Sequence, residues 1–169
     1  MPTKPPMIFI NLPVSSFPDS ITFYTALGFV QNKSFTEPGN VAMMSLPPFD
    51  PPDSGVGMIN VMLHTHEKFQ GFMPPGKQIA DAKKRTEVLL CLSCESKEEV
   101  DEMVEKAVRA GGKGQVCPKQ NVSEAMYGDS FEDLDGHVWE LVWMSEAMVK
   151  GEEPPTKTMK GEKEDEKKD

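Results

Sequence analysis

Two stretches of this 169-residue chain spell the same order of elements, and that repetition restricts the fold more than composition does. Met7 to Val14 is an apolar run of strand length. Ser16-Phe17-Pro18-Asp19 then opens a helix, with Ser16 at the N-cap, a proline in the first turn and an acid behind it. Phe17, Ile21, Tyr24 and Leu27 give that helix an apolar stripe, and Gly28 ends it. Val30–Phe35 and Val41–Leu46 read as strands joined by the turn Pro38-Gly39-Asn40, and Met58–Thr65 as a third. The order then recurs. Glu87–Cys94 is a strand, and Ser96-Lys97-Glu98-Glu99 is a capping box. The helix it opens buries Val100, Met103, Val104 and Ala107 and stops at Gly111-Gly112. Strands at Gly114–Pro118, Met126–Glu132 and Val138–Met144 follow.

The leading strands superpose at an offset of about eighty residues, aligning Phe9 with Leu89 and Leu12 with Leu92, while the closing strands align Leu63 with Glu140. A βαβββ unit covers one sheet face with its helix, and two such units curl the other face around a shared cleft. The expected fold is therefore α+β, two tandem βαβββ modules forming a curled mixed sheet around a cleft. We expect a single domain over 1–149, with modules at about 7–69 and 86–145. Residues 150–169 are mostly Lys, Glu, Asp, Pro and Gly, a charged tail unable to bury enough apolar area to order itself. Pro47–Gly57 is too dense in Pro and Gly for regular structure, and Gly71–Lys84 is a connector with room for one helical turn.

Chemistry concentrates in the last strand. Asp133-Leu134-Asp135-Gly136 is turn chemistry, and His137 after it reads as a strand-start residue. Along Val138–Met144, Val138, Glu140 and Val142 share one face and Trp139, Leu141 and Trp143 the other. Glu140 is a lone carboxylate in an apolar strand, and burying it charged and unpartnered is costly. It must face a wet cavity, meet a donor or metal, or take up a proton.

The net charge of −9 argues against a nucleic-acid partner, and the tail, with both signs mixed, is not its source. No apolar run is long enough to span a membrane, and Met1–Pro6 lacks the features of a secretory signal, so a cytoplasmic protein is expected. Cys91-Leu92-Ser93-Cys94 matches C-x-x-C, but in a strand its two sulfurs point to opposite faces, so Cys91, Cys94 and Cys117 read as small hydrophobes. His64 and His66, two apart at a strand end, share a face and could be a metal pair; by parity with Leu63 they point away from the cleft, and solvated strand-end histidines are the expected reading. Met43, Met44, Met58, Met62 and Met126 suit a deformable apolar binding surface, and an ordinary core nearly as well. Nucleotide-loop, dinucleotide, hydrolase-elbow and zincin motifs are absent.

Three segments, Ile8–Val14, Ser20–Phe29 and Phe131–Glu140, together with the repeat over about 7–145, resemble the vicinal-oxygen-chelate superfamily. That superfamily groups glyoxalase I, bleomycin- and fosfomycin-resistance proteins and extradiol dioxygenases, and the chain is most similar to its glyoxalase-like branch. In metal-using members four inward side chains, usually His or Glu, hold a divalent cation. The resemblance places Phe9, Leu63, Leu89 and Glu140 at those positions, and only Glu140 can bind a metal. No metal cofactor is therefore expected. Asn11 shares strand parity with Phe9 and adds an amide to the pocket wall, where Cys91 is also counted. Tyr127 falls near the cavity mouth, as a ligand contact or as an aromatic packed on the core. Glu140 is the candidate general base, or a carboxylate that bonds a neighbour and shapes the cavity.

The resemblance implies a small-molecule ligand, largely apolar, held in the cleft of a homodimer. A metal-independent isomerase or lyase is one reading, a non-catalytic binding or resistance protein a second, and a metal-dependent glyoxalase or dioxygenase the least expected.

Overall fold

In the computed structural model, residues 6–152 are described, with the side chains of 121–123 left aside. The first half runs β1 (Ile8–Val14), α1 (Phe17–Ala26), β2 (Val30–Glu37), β3 (Val41–Ser45), β4 (Ile59–Thr65) and a short α2 (His66–Gln70). The second runs β5 (Leu90–Ser93), α3 (Lys97–Arg109), β6 (Lys113–Gly114), β7 (Gln120–Ser123), β8 (Met126–Glu132), β9 (Val138–Met144) and α4 (Glu146–Val149). Strands order β1-β4-β3-β2 in a four-stranded sheet and β5-β9-β8-β6 in a five-stranded one, β7 pairing with β8. In each sheet the leading and closing strands are parallel neighbours and the remaining pairs antiparallel. This is the α+β arrangement of two βαβββ modules. The tail expected to be disordered lies, over 153–169, outside the described residues. No helix among the described residues is long and apolar enough to cross a membrane.

The two longer helices, α1 and α3, start as their sequences dictate, with one variation each. Ser96 Oγ accepts from Glu99 N at 3.0 Å, while the Glu99 carboxylate reaches back one residue further than in a capping box, to Glu95 N. Ser16 caps α1 in extended conformation but turns its hydroxyl to Asp19. Phe23, outside the stripe read from sequence, is the most buried aromatic of α1 with Tyr24.

One core joins the halves. Leu12, Val14, Phe23, Tyr24, Val61 and Leu63 of the first pack with Leu92, Val100, Val104, Phe131, Trp139 and Leu141 of the second. Each such side chain contributes roughly 1.5–3 kcal/mol when fully buried. Phe131 stacks on Trp139 with centroids 6.3 Å apart, and Tyr24 meets Trp139 edge-on.

The Asp-rich turn is the polar clasp of that core. Tyr24 Oη donates to Asp133 Oδ2 at 2.8 Å and accepts from Trp139 Nε1 at 3.2 Å. Asp133 Oδ1 accepts from the backbone of Asp135 and His137. Asp135 accepts from Ser15 N and Ser20 Oγ, and His137 Nε2 donates to Pro13 O, tying the second half to the end of β1. Burial pushes the Asp133 carboxyl above its usual range and, with the Asp133 charge next, lifts the Tyr24 phenol well above its own.

The faces turned away from the helices differ between the halves. In the first sheet Asn32, Ser45 and Asn60 are buried there. Ser45 bonds Asn60, Asn60 donates to Gly57 O, and Asn32 donates to Ser54 O and Gly55 O, so the 47–57 segment is laid over this face.

Candidate functional site

β9 lies between β5 and β8, so Glu140 has Cys91 on one side in register and Ser130 on the other. Its Oε1 accepts from Gln120 Nε2 at 3.2 Å, and it pairs with no cation among the described residues. The side chain is half-buried and borders a cavity of about 130 Å³, walled by Cys91, Cys117, Met126, Val142 and Met144 with Gln120 and Ser130. Glu140 thus meets both a cavity and a donor, two of the conditions its burial required.

The far wall of this cavity is the 115–119 loop. Gln115 takes a left-handed φ of 56° and donates its N–H to Ser130 O, and Cys117 N donates to Ser130 Oγ, both at 2.7 Å. Lys119 Nζ lies 3.3 Å from Asp129 Oδ2, a carboxylate almost wholly buried. Burial, then the Glu140 charge, pushes the Cys91 thiol up. Cys94, on the core side of the strand, is pushed up to about 11 by burial ahead of the charge of Glu99. Neither is a ready thiolate.

A second cavity, of about 230 Å³, opens where the modules meet. Asn11 and Pro13 of β1, Leu90 of β5, Val138 of β9 and His137 just before it line it, under a strap of chain from Phe69 to Val88. The strap is seated on the Asp-Gly turn. Gly136 has φ 93°, and a Cβ there would stand 2.7 Å from Lys83 N and 2.9 Å from Ala82 C. Glycine is required both for the backbone angle and for the contact.

The candidate residues read from sequence are divided among several places. Glu140 and Cys91 share the smaller cavity, and Asn11 lines the larger. Phe9, near the start of β1, and Leu89, just before β5, are 45% and 47% exposed and border neither cavity. Tyr127 is on the other face of β8, opposite Trp143, its hydroxyl donating to Asp101 at 2.6 Å and its ring under Lys119.

Leu63 is corrected outright. It is fully buried in the core beside Leu12, and the register places Met62, not Leu63, at the position matching Glu140. A slip of one residue along a strand turns every side chain to the opposite face. His64 is corrected with it. It points to the open face, buried against Phe69 and Phe72, and bonds Asn11 Oδ1 through Nε2 at 2.8 Å. Burial, and after it Lys68, lowers its pKa, favouring a neutral ring whose Nδ1 is buried with no partner among the described residues. His66 starts α2 instead of continuing the strand.

Gln120, Ser130, Cys117 and Asp129 were not anticipated. Ser130 has a sequence signal, since the strand Met126–Glu132 pairs with β9 and this places it opposite Glu140. Gln120 has none, because β7 follows a loop whose course no local pattern fixes.

A cation bound as in the metal-using members would need Phe9, Met62, Leu89 and Glu140. That is one carboxylate, a thioether and two hydrocarbons, which does not fit a chelated divalent ion. No group of three or more His, Cys, Asp or Glu able to hold a metal occurs among the described residues.

Residues 7–141 match the model of the Glyoxalase/Bleomycin resistance protein/Dioxygenase superfamily, and the chain belongs to that superfamily. Among solved structures it is similar to hypothetical protein SA1046 from S. aureus, at 29% identity and a TM-score of 0.61 over 85% of this chain and 94% of that one. It is also similar to the fosfomycin resistance protein FosX from Listeria monocytogenes (16%, TM-score 0.58, 90% of this chain and 100% of that). Lactoylglutathione lyase from Agrobacterium tumefaciens gives 15% and 0.56, over 83% and 96%. At such identities these last two speak to the fold alone. No curated protein sequence matches the chain significantly.

Proposed function

We propose that this chain binds a small, largely apolar molecule on the open face of its second sheet, without a metal, and that Glu140 meets the ligand's polar group. The observation carrying this is the Glu140 cavity itself, a single carboxylate held by one neutral amide within walls of valine, methionine and cysteine. Val138 lines the junction cavity and Glu140 and Val142 the smaller one, so a ligand body can extend along β9 from one to the other. Any turnover is proton transfer of the isomerase or lyase type. Glu140 is the general base that takes a proton from carbon and, as the carboxylic acid so formed, returns it to the product carbon or to the leaving group, with Cys91 its register neighbour on the cavity wall.

A second reading, non-catalytic binding or sequestration, is favoured by Gln120, whose hydrogen bond to Oε1 holds the Glu140 carboxylate as an anchor while leaving Oε2 to the ligand. Glu140→Gln tests both, on the ligand identified by native mass spectrometry of the purified protein. Loss of turnover with affinity kept identifies a base, and parallel loss of affinity an anchor; no change in either overturns the proposal. Near-stoichiometric divalent metal in protein purified without chelator would overturn the metal-independent reading. We take the working form to be a cytoplasmic homodimer. The exposed apolar residues Met7, Ile8 and Phe9, at the entry to β1, and Val88 and Leu89, just before β5, support pairing of two chains.

A further inference from the structure

We infer that the group presented to Glu140 is a compact organic cation, an alkylammonium, in place of a neutral or anionic group. The inference rests on Glu140 being the ligand contact, as proposed above, and adds the charge class of what it contacts.

Two carboxylates lie at the cavity wall in different states of compensation: Glu140 faces the cavity, and Asp129 sits on the opposite face of β8, the face of Tyr127. Asp129 accepts from Ser130 N and has Lys119 Nζ at 3.3 Å. Glu140 has Gln120 Nε2 at 3.2 Å and no cation among the described residues. A neutral amide satisfies one lone pair but leaves the charge uncompensated, and a carboxylate half-withdrawn from water is then a site awaiting a counter-charge.

The rest of the wall favours the same class. Cys91, Cys117, Met126 and Met144 place four sulfurs around the cavity, polarisable groups that pack alkyl chains and offer no competing positive charge. A volume of about 130 Å³ is a few waters' worth, enough for an ammonium and its first methylenes but not for a bulky head group. An anionic group entering here would meet Glu140 at like charge, and a neutral group would displace its water without replacing the charge. The net charge of −9 attracts cations at long range as well.

Ligand-observed NMR with n-butylammonium, 1-butanol and butyrate at constant ionic strength tests the assignment on the full chain. Butylammonium should bind at least about tenfold more tightly than either of the others, a gap of about 1.4 kcal/mol. Glu140→Gln should remove that preference. Glu140→Asp, which keeps the charge, should retain part of it and serves if the glutamine variant does not fold. If butanol binds as tightly as butylammonium and both are lost in Glu140→Gln, the cation class is overturned while Glu140 stands as the ligand contact. Butylammonium binding equally to the wild type and Glu140→Gln overturns both readings. Absence of butylammonium binding at the highest concentration that leaves the fold intact overturns the cation class alone.

Discussion

The strap over the junction cavity can be tested with two glycines. Gly28 and Gly136 have nearly the same left-handed backbone, φ 98° and 93°, but different surroundings. A Cβ on Gly28 meets nothing within 4 Å, whereas one on Gly136 meets backbone atoms of Ala82 and Lys83 at 2.7–2.9 Å. Gly28→Ala should therefore cost only the backbone term, about 1–2 kcal/mol. Gly136→Ala carries the same term plus displacement of a main chain that cannot rotate aside, about 1–3 kcal/mol more. Urea unfolding of both variants measures the difference directly, since the shared backbone cost cancels. Limited trypsin digestion gives an independent reading, because Lys83 lies at the contact, exposed Lys84 and Arg85 follow it, and a lifted strap frees their backbone to enter a protease site. Cutting there should accelerate in Gly136→Ala but not in Gly28→Ala. Equal costs, within about 0.5 kcal/mol, with no change in cleavage would refute the seating of the strap on the turn.

Three further outcomes follow from the packing. Leu63→Ala should lose about 2–5 kcal/mol in urea unfolding. Phe9→Ala should stay within about 0.5 kcal/mol, and the reverse order would restore Leu63 to the cavity. Tyr24→Phe should cost about 1–3 kcal/mol, because Asp133 loses a donor and Trp139 Nε1 its acceptor; an unchanged urea midpoint would contradict that network. His64 has a folded pKa below its usual 6.5, so its stabilising contribution is present above that pH and is lost as pH falls toward the lowered value. The urea midpoint should drop between about pH 7.5 and pH 5, and less in His64→Gln, whose amide can still donate to Asn11.

Elements with a local signature were legible in the sequence. The Ser96 box fixed the start of α3, and β8 and β9 have the bounds their residue patterns indicate. Glu140 could be singled out because a charge within an apolar strand is a local contrast. The phase of β4 could not. Ile59–Thr65 is buried on both faces, one against the helices and the other under the 47–57 segment and α2, so no alternation marks which residues face the core. That is why Leu63 was assigned to the wrong face and His64 with it. β5 is shorter than its apolar run because Val88 belongs to the strap and Leu89 precedes the first ladder pair. The cavity wall at Gln120 and Cys117 depends on tertiary docking of a loop onto Ser130, which leaves no trace in periodicity.

The Pro- and Gly-rich segment 47–57, by bonding to Asn32 and Asn60, gives the first module a permanent occupant of its own. A duplicated architecture then offers one vacancy at the acidic strand instead of two related by its internal symmetry. Guest molecules should accordingly saturate the Glu140 seat at one per polypeptide, with a simple hyperbolic isotherm, whatever number of chains assemble.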